Sequence, residues 1–336
     1  MREQMEWQAK HILYEYDLFP RQIAQVREHE WKVKTDHGFF LLKRTGESPA
    51  QLYFVASWLH YLYSRGMYTA IPYYISKYGE ACISTVAGAY VLQPWVDGAR
   101  PLPRFPDWES HVLREVGRIH KISAQAEQGW DGYAPVSLDT IKRRWEDGIA
   151  HIQKAAQEAG KESTGTGLER MLKESAEHVR HFAEWAIQEL EEAAEQIEES
   201  ALARVLCHGR IHRSNLLQDA DGRIYFLNFE RANLDTPIRD IALFFRRYAP
   251  QYQWNIRKGR EWLAAYETER LLTKEERQLL SCYLLFPERL AQVARAYVRE
   301  TGEEREEYVR KLLKTWQKHL GFLPKMHQFA FAIAQK

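Results

Sequence analysis

Val205-Leu206-Cys207-His208-Gly209-Arg210-Ile211-His212-Arg213-Ser214-Asn215-Leu216-Leu217 is the stretch on which the fold turns. A short apolar run enters a polar loop and a second apolar run leaves it. Asp221-Gly222 then turns the chain into Ile224-Tyr225-Phe226-Leu227-Asn228-Phe229-Glu230, so the segment reads as strand, loop, hairpin and strand. Asp235-Thr236-Pro237-Ile238-Arg239-Asp240-Ile241-Ala242 follows, with a proline and an acidic residue opening a helix.

Upstream, Trp31-Lys32-Val33-Lys34-Thr35 alternates, Asp36-His37-Gly38 turns, and Phe39-Phe40-Leu41-Leu42-Lys43 returns. That is a hairpin with Lys43 near its far end. Before it, Ile12, Leu13, Tyr14, Leu18 and Phe19 are the buried candidates. Pro49 to Arg65 reads as a helix closed by Gly66 that contains no acidic residue; Glu47 precedes it and Gln51 is the polar group in its first turn. Strands are expected around Tyr73-Tyr74-Ile75 and Cys82 to Val86, and again at Ala89-Tyr90-Val91-Leu92, which runs into Gln93-Pro94-Trp95-Val96-Asp97-Gly98. Beyond Trp108, helical spacing dominates, over Val112–His120, Leu138–Ala159, Gly167–Ser200, Trp254–Glu269, Lys274–Arg299 and Glu303–His319.

Lys plus Arg number 47 against 46 for Asp plus Glu, so no global field argues for nucleic acid or an anionic membrane as partner. The three cysteines are far apart, with no zinc spacing, and are expected reduced and buried. Residues 1–7 lack the apolar core of a signal peptide, and no run is long enough to span a bilayer. A cytosolic chain without membrane insertion is the expectation. The acidic cluster from Glu189 to Glu199 reads as a solvated helix face, and no Ser/His/Asp, HExxH, Walker A or fixed-period repeat appears.

The loop, the strand-end residues and the Pro-Ile-Arg-Asp segment resemble the catalytic region of the aminoglycoside phosphotransferase and choline-kinase group. The resemblance implies an α+β, protein kinase-like bilobal fold, with an antiparallel-sheet small lobe over residues 1–95 and a mostly helical large lobe over 96–336. In such enzymes the loop Asp orients the acceptor hydroxyl, while an Asn and a strand-end Asp hold magnesium. Here Arg210 takes the first position, Asn215 the second and Asn228 the third. An arginine stays protonated and cannot act as a base, and an amide brings no negative charge to a hard cation. Lys43 takes the phosphate-pairing position, Gln93 and Trp95 bracket the hinge that would contact adenine, and His208, Glu230 and Asp240 support the loop. Glu230, then Asp240, is the expected acceptor for Arg210. No metal ligand is assigned, Asn215 and Asn228 being the candidates if magnesium binds. The kinase glycine-rich loop is not legible, since Gly38 is the lone glycine in the hairpin.

Tyr225 to Glu230 before Thr236-Pro237-Ile238-Arg239-Asp240, with Leu92-Gln93-Pro94-Trp95 at the hinge, is also similar to the CotS family of spore-coat proteins, in particular its YsxE branch. That resemblance implies other coat proteins as partners, and a mother-cell cytoplasm origin followed by deposition in the spore coat. Two classes of function compete. One is a silent pseudokinase acting by protein binding; the alternative is an ATP- and Mg2+-dependent phosphotransferase acting on an alcohol group of a sugar or small molecule.

Overall fold

The computed structural model describes residues 9–103, 105–126, 137–161, 167–199, 202–300 and 305–335. The start of the chain read for a leader and the expected helix start at Glu303 lie outside them. In chain order the elements are α1 (9–14), then β1 (Gln22–Arg27), β2 (Glu30–Thr35), β3 (Gly38–Thr45), α2 (Pro49–Ser64), β4 (Ile83–Thr85), β5 (Gly88–Pro94) and β6 (Arg100–Pro101). They continue with α3 (Trp108–Ala124), α4 (Leu138–Lys161), α5 (Gly167–Ala194), β7 (Val205–Cys207), β8 (Leu216–Gln218), β9 (Ile224–Phe226) and β10 (Asn233–Asp235). The remainder is helical: α6 (Ile238–Tyr248), α7 (Ile256–Glu267), α8 (Lys274–Leu285), α9 (Glu288–Arg299), α10 (Arg305–Leu320) and α11 (Leu323–Ala334).

Two compact units divide the chain. One comprises Met1–Trp108, Arg118–Glu127 and Leu206–Asn233; the other comprises Glu109–Gly117, Gln128–Val205 and Leu234–Lys336. The polar loop after β7 therefore groups with the N-terminal sheet.

The first unit is built on an antiparallel sheet in the order β1-β2-β3-β5-β4. Period-two alternation places Val33, Phe40, Leu42, Tyr90 and Leu92 in one core with Ile12, Leu13, Tyr16 and Leu18, and the opposite face of β3 is left to Leu41 and Lys43. Tyr14 and Phe19, expected inside, are 55% and 60% exposed and pack against each other instead. The α1 helix has room to bury one face only. Strand β1, Gln22-Ile23-Ala24-Gln25-Val26-Arg27, was not legible in the sequence, because its apolar residues do not alternate cleanly and almost all of it is exposed at the sheet edge. Tyr73–Ile75, expected as a strand, is irregular; Tyr74 N–H reaches Leu92 O at 2.6 Å, but Pro72 just before it has no N–H to extend a ladder.

Helix α2 starts where Ser48 caps the N–H of Gln51 at 3.3 Å with Pro49 in the first turn. It stops before Gly66, which takes φ +86°. A second sheet, β6-β8-β9, is antiparallel throughout, and Leu216, Leu217 and Gln218 stand opposite Phe226, Tyr225 and Ile224. The hairpin turn uses Gly222 at φ +82°.

In the second unit α4 packs on α5 and α9, and α8 packs on α11 and α6. The core is aromatic: Trp145 stacks on Phe286 at 4.8 Å, while Phe245, Trp262 and Phe329 meet at about right or tilted angles. The helix expected over Lys274–Arg299 is two helices. Pro287 disfavours a helical residue before it, and Phe286 is extended at ψ 128°. Cys82, Cys207 and Cys282 are all free and buried. The acidic run at the end of α5 is mostly exposed, and Glu199 accepts the first N–H of α4 from Leu138 at 2.8 Å.

Candidate functional site

Lys43 reaches its position through strand register. Counting back from the Asp36–His37 turn sets Glu30 opposite Lys43 across the β2–β3 pair, and the Glu30 carboxylate lies 3.9 Å from the Lys43 ammonium. On the other side, Lys43 Nζ donates to Glu230 Oε1 at 2.6 Å and to Asn228 Oδ1 at 2.5 Å. Lys43 and Glu230 side chains are 15% and 9% exposed, so this ion pair is shielded from most screening by water.

Asn228 sits at the end of β9 in the left-handed region, φ 65° and ψ 53°, a conformation Asn tolerates better than most residues. That kink turns its amide toward both neighbours. Its oxygen accepts from Lys43, and its Nδ2 donates to Asn215 Oδ1 at 2.9 Å. Asn215 Nδ2 in turn donates to the Arg210 carbonyl at 3.0 Å. The chain of contacts therefore runs from ammonium through two amides to the loop backbone. Both amides have oxygen and nitrogen engaged.

His208 is buried beneath this loop. Its Nε2–H donates to Leu227 O at 3.0 Å, and its Nδ1 accepts Arg210 N–H at 3.2 Å. One neutral tautomer satisfies both contacts, and the ring packs on Phe229 with centroids 4.5 Å apart. Gln51, in the first turn of α2, spans the same segment: its Nε2 donates to Glu230 O at 3.1 Å and to Ala232 O at 2.7 Å. A neutral amide thus anchors the strand end where a protein kinase would use a helix carboxylate on the lysine.

The expected Arg210–Glu230 pair does not form. Arg210 is exposed, its guanidinium makes no hydrogen bond or ion pair among the described residues, and Glu230 is committed to Lys43. Asp240 is buried in the first turn of α6 and belongs to the second unit. The physical reason is reach. Glu230 lies in a 3₁₀ turn that faces β3, where an ammonium and an amide already close the shell.

The hinge residues are used structurally. Gln93 is buried and donates its side-chain N–H to Ile71 O at 2.8 Å. Trp95 N–H donates to Phe39 O at 2.9 Å, and the Trp95 ring carries Lys32 Nζ at 4.4 Å from its centroid. One Gln93 side-chain N–H and the Trp95 backbone N–H are thus engaged within the chain. The β1–β2 turn, where a phosphate-covering loop would lie, is Glu28-His29 with His29 at φ +62° and no glycine. Sequence reasoning missed Glu30 as a Lys43 neighbour, although the turn position alone gave its register.

Magnesium does not fit this arrangement. The Asn228 oxygen that would face the metal is held by an ammonium, Asn215 turns its oxygen to the Asn228 amide, and no unpaired carboxylate joins them. Among the described residues, no helix is long and apolar enough to cross a membrane.

An antiparallel sheet with a strand lysine, then a His-Gly loop and hairpin before a helical remainder, is the aminoglycoside phosphotransferase and choline-kinase class of fold, with Asn228 where that class carries a strand-end Asp. An aminoglycoside phosphotransferase from Alicyclobacillus acidocaldarius subsp. acidocaldarius DSM 446 superposes with TM-score 0.76 at 14% identity, covering 96% of each chain. A spectinomycin phosphotransferase solved with ADP and spectinomycin gives TM-score 0.67 at 12% identity, covering 99% of this chain and 98% of that one. The family model "Spore coat putative kinase YutH" matches residues 9–326, and the chain belongs to that spore-coat, kinase-like family. Spore coat protein S of Bacillus subtilis (strain 168) is 24% identical over 289 residues, 80% of this chain and 76% of that protein.

Proposed function

We propose that the protein is a catalytically silent member of its kinase-like family that acts by binding other spore-coat proteins. In this reading it is made in the mother-cell cytoplasm and deposited in the coat, with residues 1–95 as small lobe and 96–336 as large lobe. The observation that carries the reading is the Lys43 ammonium seated on Asn228 and Glu230. A cation built into the chain takes the oxygen that a metal would need, and like charges repel. Arg210 adds a second positive group in place of a general base and leaves no carboxylate to orient an acceptor hydroxyl.

Calorimetry and phosphate release test this directly. Wild type is expected to show no magnesium-dependent ATP turnover above background. In Arg210→Asp/Asn228→Asp the new carboxylate at 228 faces Asn215 Oδ1, so the Asn215 amide must turn and release the Arg210-position carbonyl. Magnesium-dependent nucleotide binding is expected to return in that variant before turnover does, because the β1–β2 turn still lacks glycine. Robust wild-type phosphorylation of a sugar or alcohol that disappears in Asn215→Ala would sink the silent reading and make the protein an ATP-dependent phosphotransferase.

A further inference from the structure

The second unit holds a pocket of about 370 Å³ where α6, the α8–α9 junction, the end of α10 and the start of α11 meet. That volume lies at the small end of the range for small-molecule sites, about 300–1,000 Å³. Its floor is apolar, with Trp254, Phe286, Leu323 and Met326 buried there. Its polar groups are strongly one-signed. Arg246, Arg247, Arg289 and Lys318 line it against the single carboxylate of Glu288.

That carboxylate offsets one of the four positive charges. Glu288 Oε2 pairs with Arg246 Nη1 at 3.7 Å, beyond hydrogen-bond distance, and is itself buried without a hydrogen-bond partner. Arg246 Nη2 donates to Tyr283 O, but its Nε is buried without a partner. The indole N–H of Trp254, which is 4% exposed, is likewise buried and unsatisfied. Buried donors are almost always paired in folded proteins; these two belong to residues that line the cationic pocket, where a small shift of either side chain would present its donor to an anion. Burial and the nearby Arg289 and Lys318 also hold His319, on the same wall, well below its ordinary pKa, at about 4. The neighbourhood is electropositive, with four cationic groups against one carboxylate.

We propose that this pocket binds a small organic phosphate, its dianionic head held by Arg246, Arg289 and Lys318 and its apolar body laid against Trp254 and Phe286. An arginine fork matches phosphate oxygens in geometry as well as charge, and an excess of three positive charges favours a dianion over a monocarboxylate. The inference is independent of whether the first unit is silent, since every residue in it belongs to the second unit.

Isothermal titration of the full chain with phenyl phosphate is the test, with inorganic phosphate as head alone and benzyl alcohol as body alone. Phenyl phosphate is expected to bind one to one and more tightly than either fragment. Arg289→Glu/Lys318→Glu, at two exposed positions, should weaken it at least tenfold with the circular dichroism spectrum unchanged. Trp254→Phe, which keeps the ring and removes the donor, should weaken it severalfold, while Lys43→Met in the first unit should leave it unaltered. Absence of saturable binding at millimolar phenyl phosphate overturns the proposal. So does equal affinity in the charge-reversed variant, equal binding of benzyl alcohol, or loss of binding in Lys43→Met that keeps the wild-type circular dichroism spectrum.

Discussion

Lys43 and Arg210 are two cations close in sequence logic and opposite in energetics. Lys43 is mostly buried between Glu230, Asn228 and Glu30, so removing it strands carboxylates away from water. Lys43→Met is expected to lower unfolding stability by about 3 kcal/mol in urea titration, the low end of the range for breaking a buried pair. Adding Glu230→Leu should return part of that loss, because the uncompensated charge goes with it. Arg210 is exposed and its guanidinium is unpaired among the described residues, so Arg210→Ala should change stability by less than about 0.5 kcal/mol. A loss in Arg210→Ala as large as that in Lys43→Met would show that the loop depends on the guanidinium.

At the scale of elements, glycine and proline decide where helices approach and where they stop. A Cβ on Gly259 of α7 would lie 2.4 Å from the Phe329 ring and 2.9 Å from Ile333 Cδ1 on α11. Alanine gains roughly 1 kcal/mol of helix propensity over glycine, but the clash forces two helices apart at a cost of about 1–3 kcal/mol. Because the contact is with a fully buried ring, Gly259→Ala should be net destabilising in thermal melts; an unchanged or raised melting temperature would mean α11 shifts freely. Strand β1 shows the converse limit of local reading. Its mixed edge residues carry a weak burial signal, with only Ile23 packed on the core, and backbone pairing with β2 defines it. Pro287, by contrast, marks the α8–α9 break that the continuous helical reading over Lys274–Arg299 passes over.

Across the whole molecule, buried histidines couple stability to pH. His327 lies between the Phe182 and Trp185 rings, and burial lowers its pKa to about 4; His319 is lowered to about 4 by burial, Arg289 and Lys318. Both folded values are below the ordinary 6.5, so the unfolded chain takes up protons first as pH falls. Their contribution is complete above about pH 6.5 and is lost as pH falls toward 4. The melting temperature is expected to drop between pH 7 and 5, less steeply in His327→Phe, which keeps an aromatic ring between Phe182 and Trp185. An equal slope in that variant would exclude His327 as a source.

The sequence by itself determined the hairpin that carries Lys43, the capped α2 helix, the strand-loop-hairpin-strand around His208, Asn215 and Asn228, and the loss of two acids from it. Those features are local: they follow from alternation, caps, turn residues and residue identity, each legible within a few positions. Only the tertiary structure decided who partners whom. Glu230 goes to Lys43 and not to Arg210, and Gln51 ties the strand end. In the second unit, four cations from three helices share one pocket. Those outcomes depend on side chains distant in sequence competing for the same few acceptors, and packing geometry, which no local pattern encodes, settles that competition.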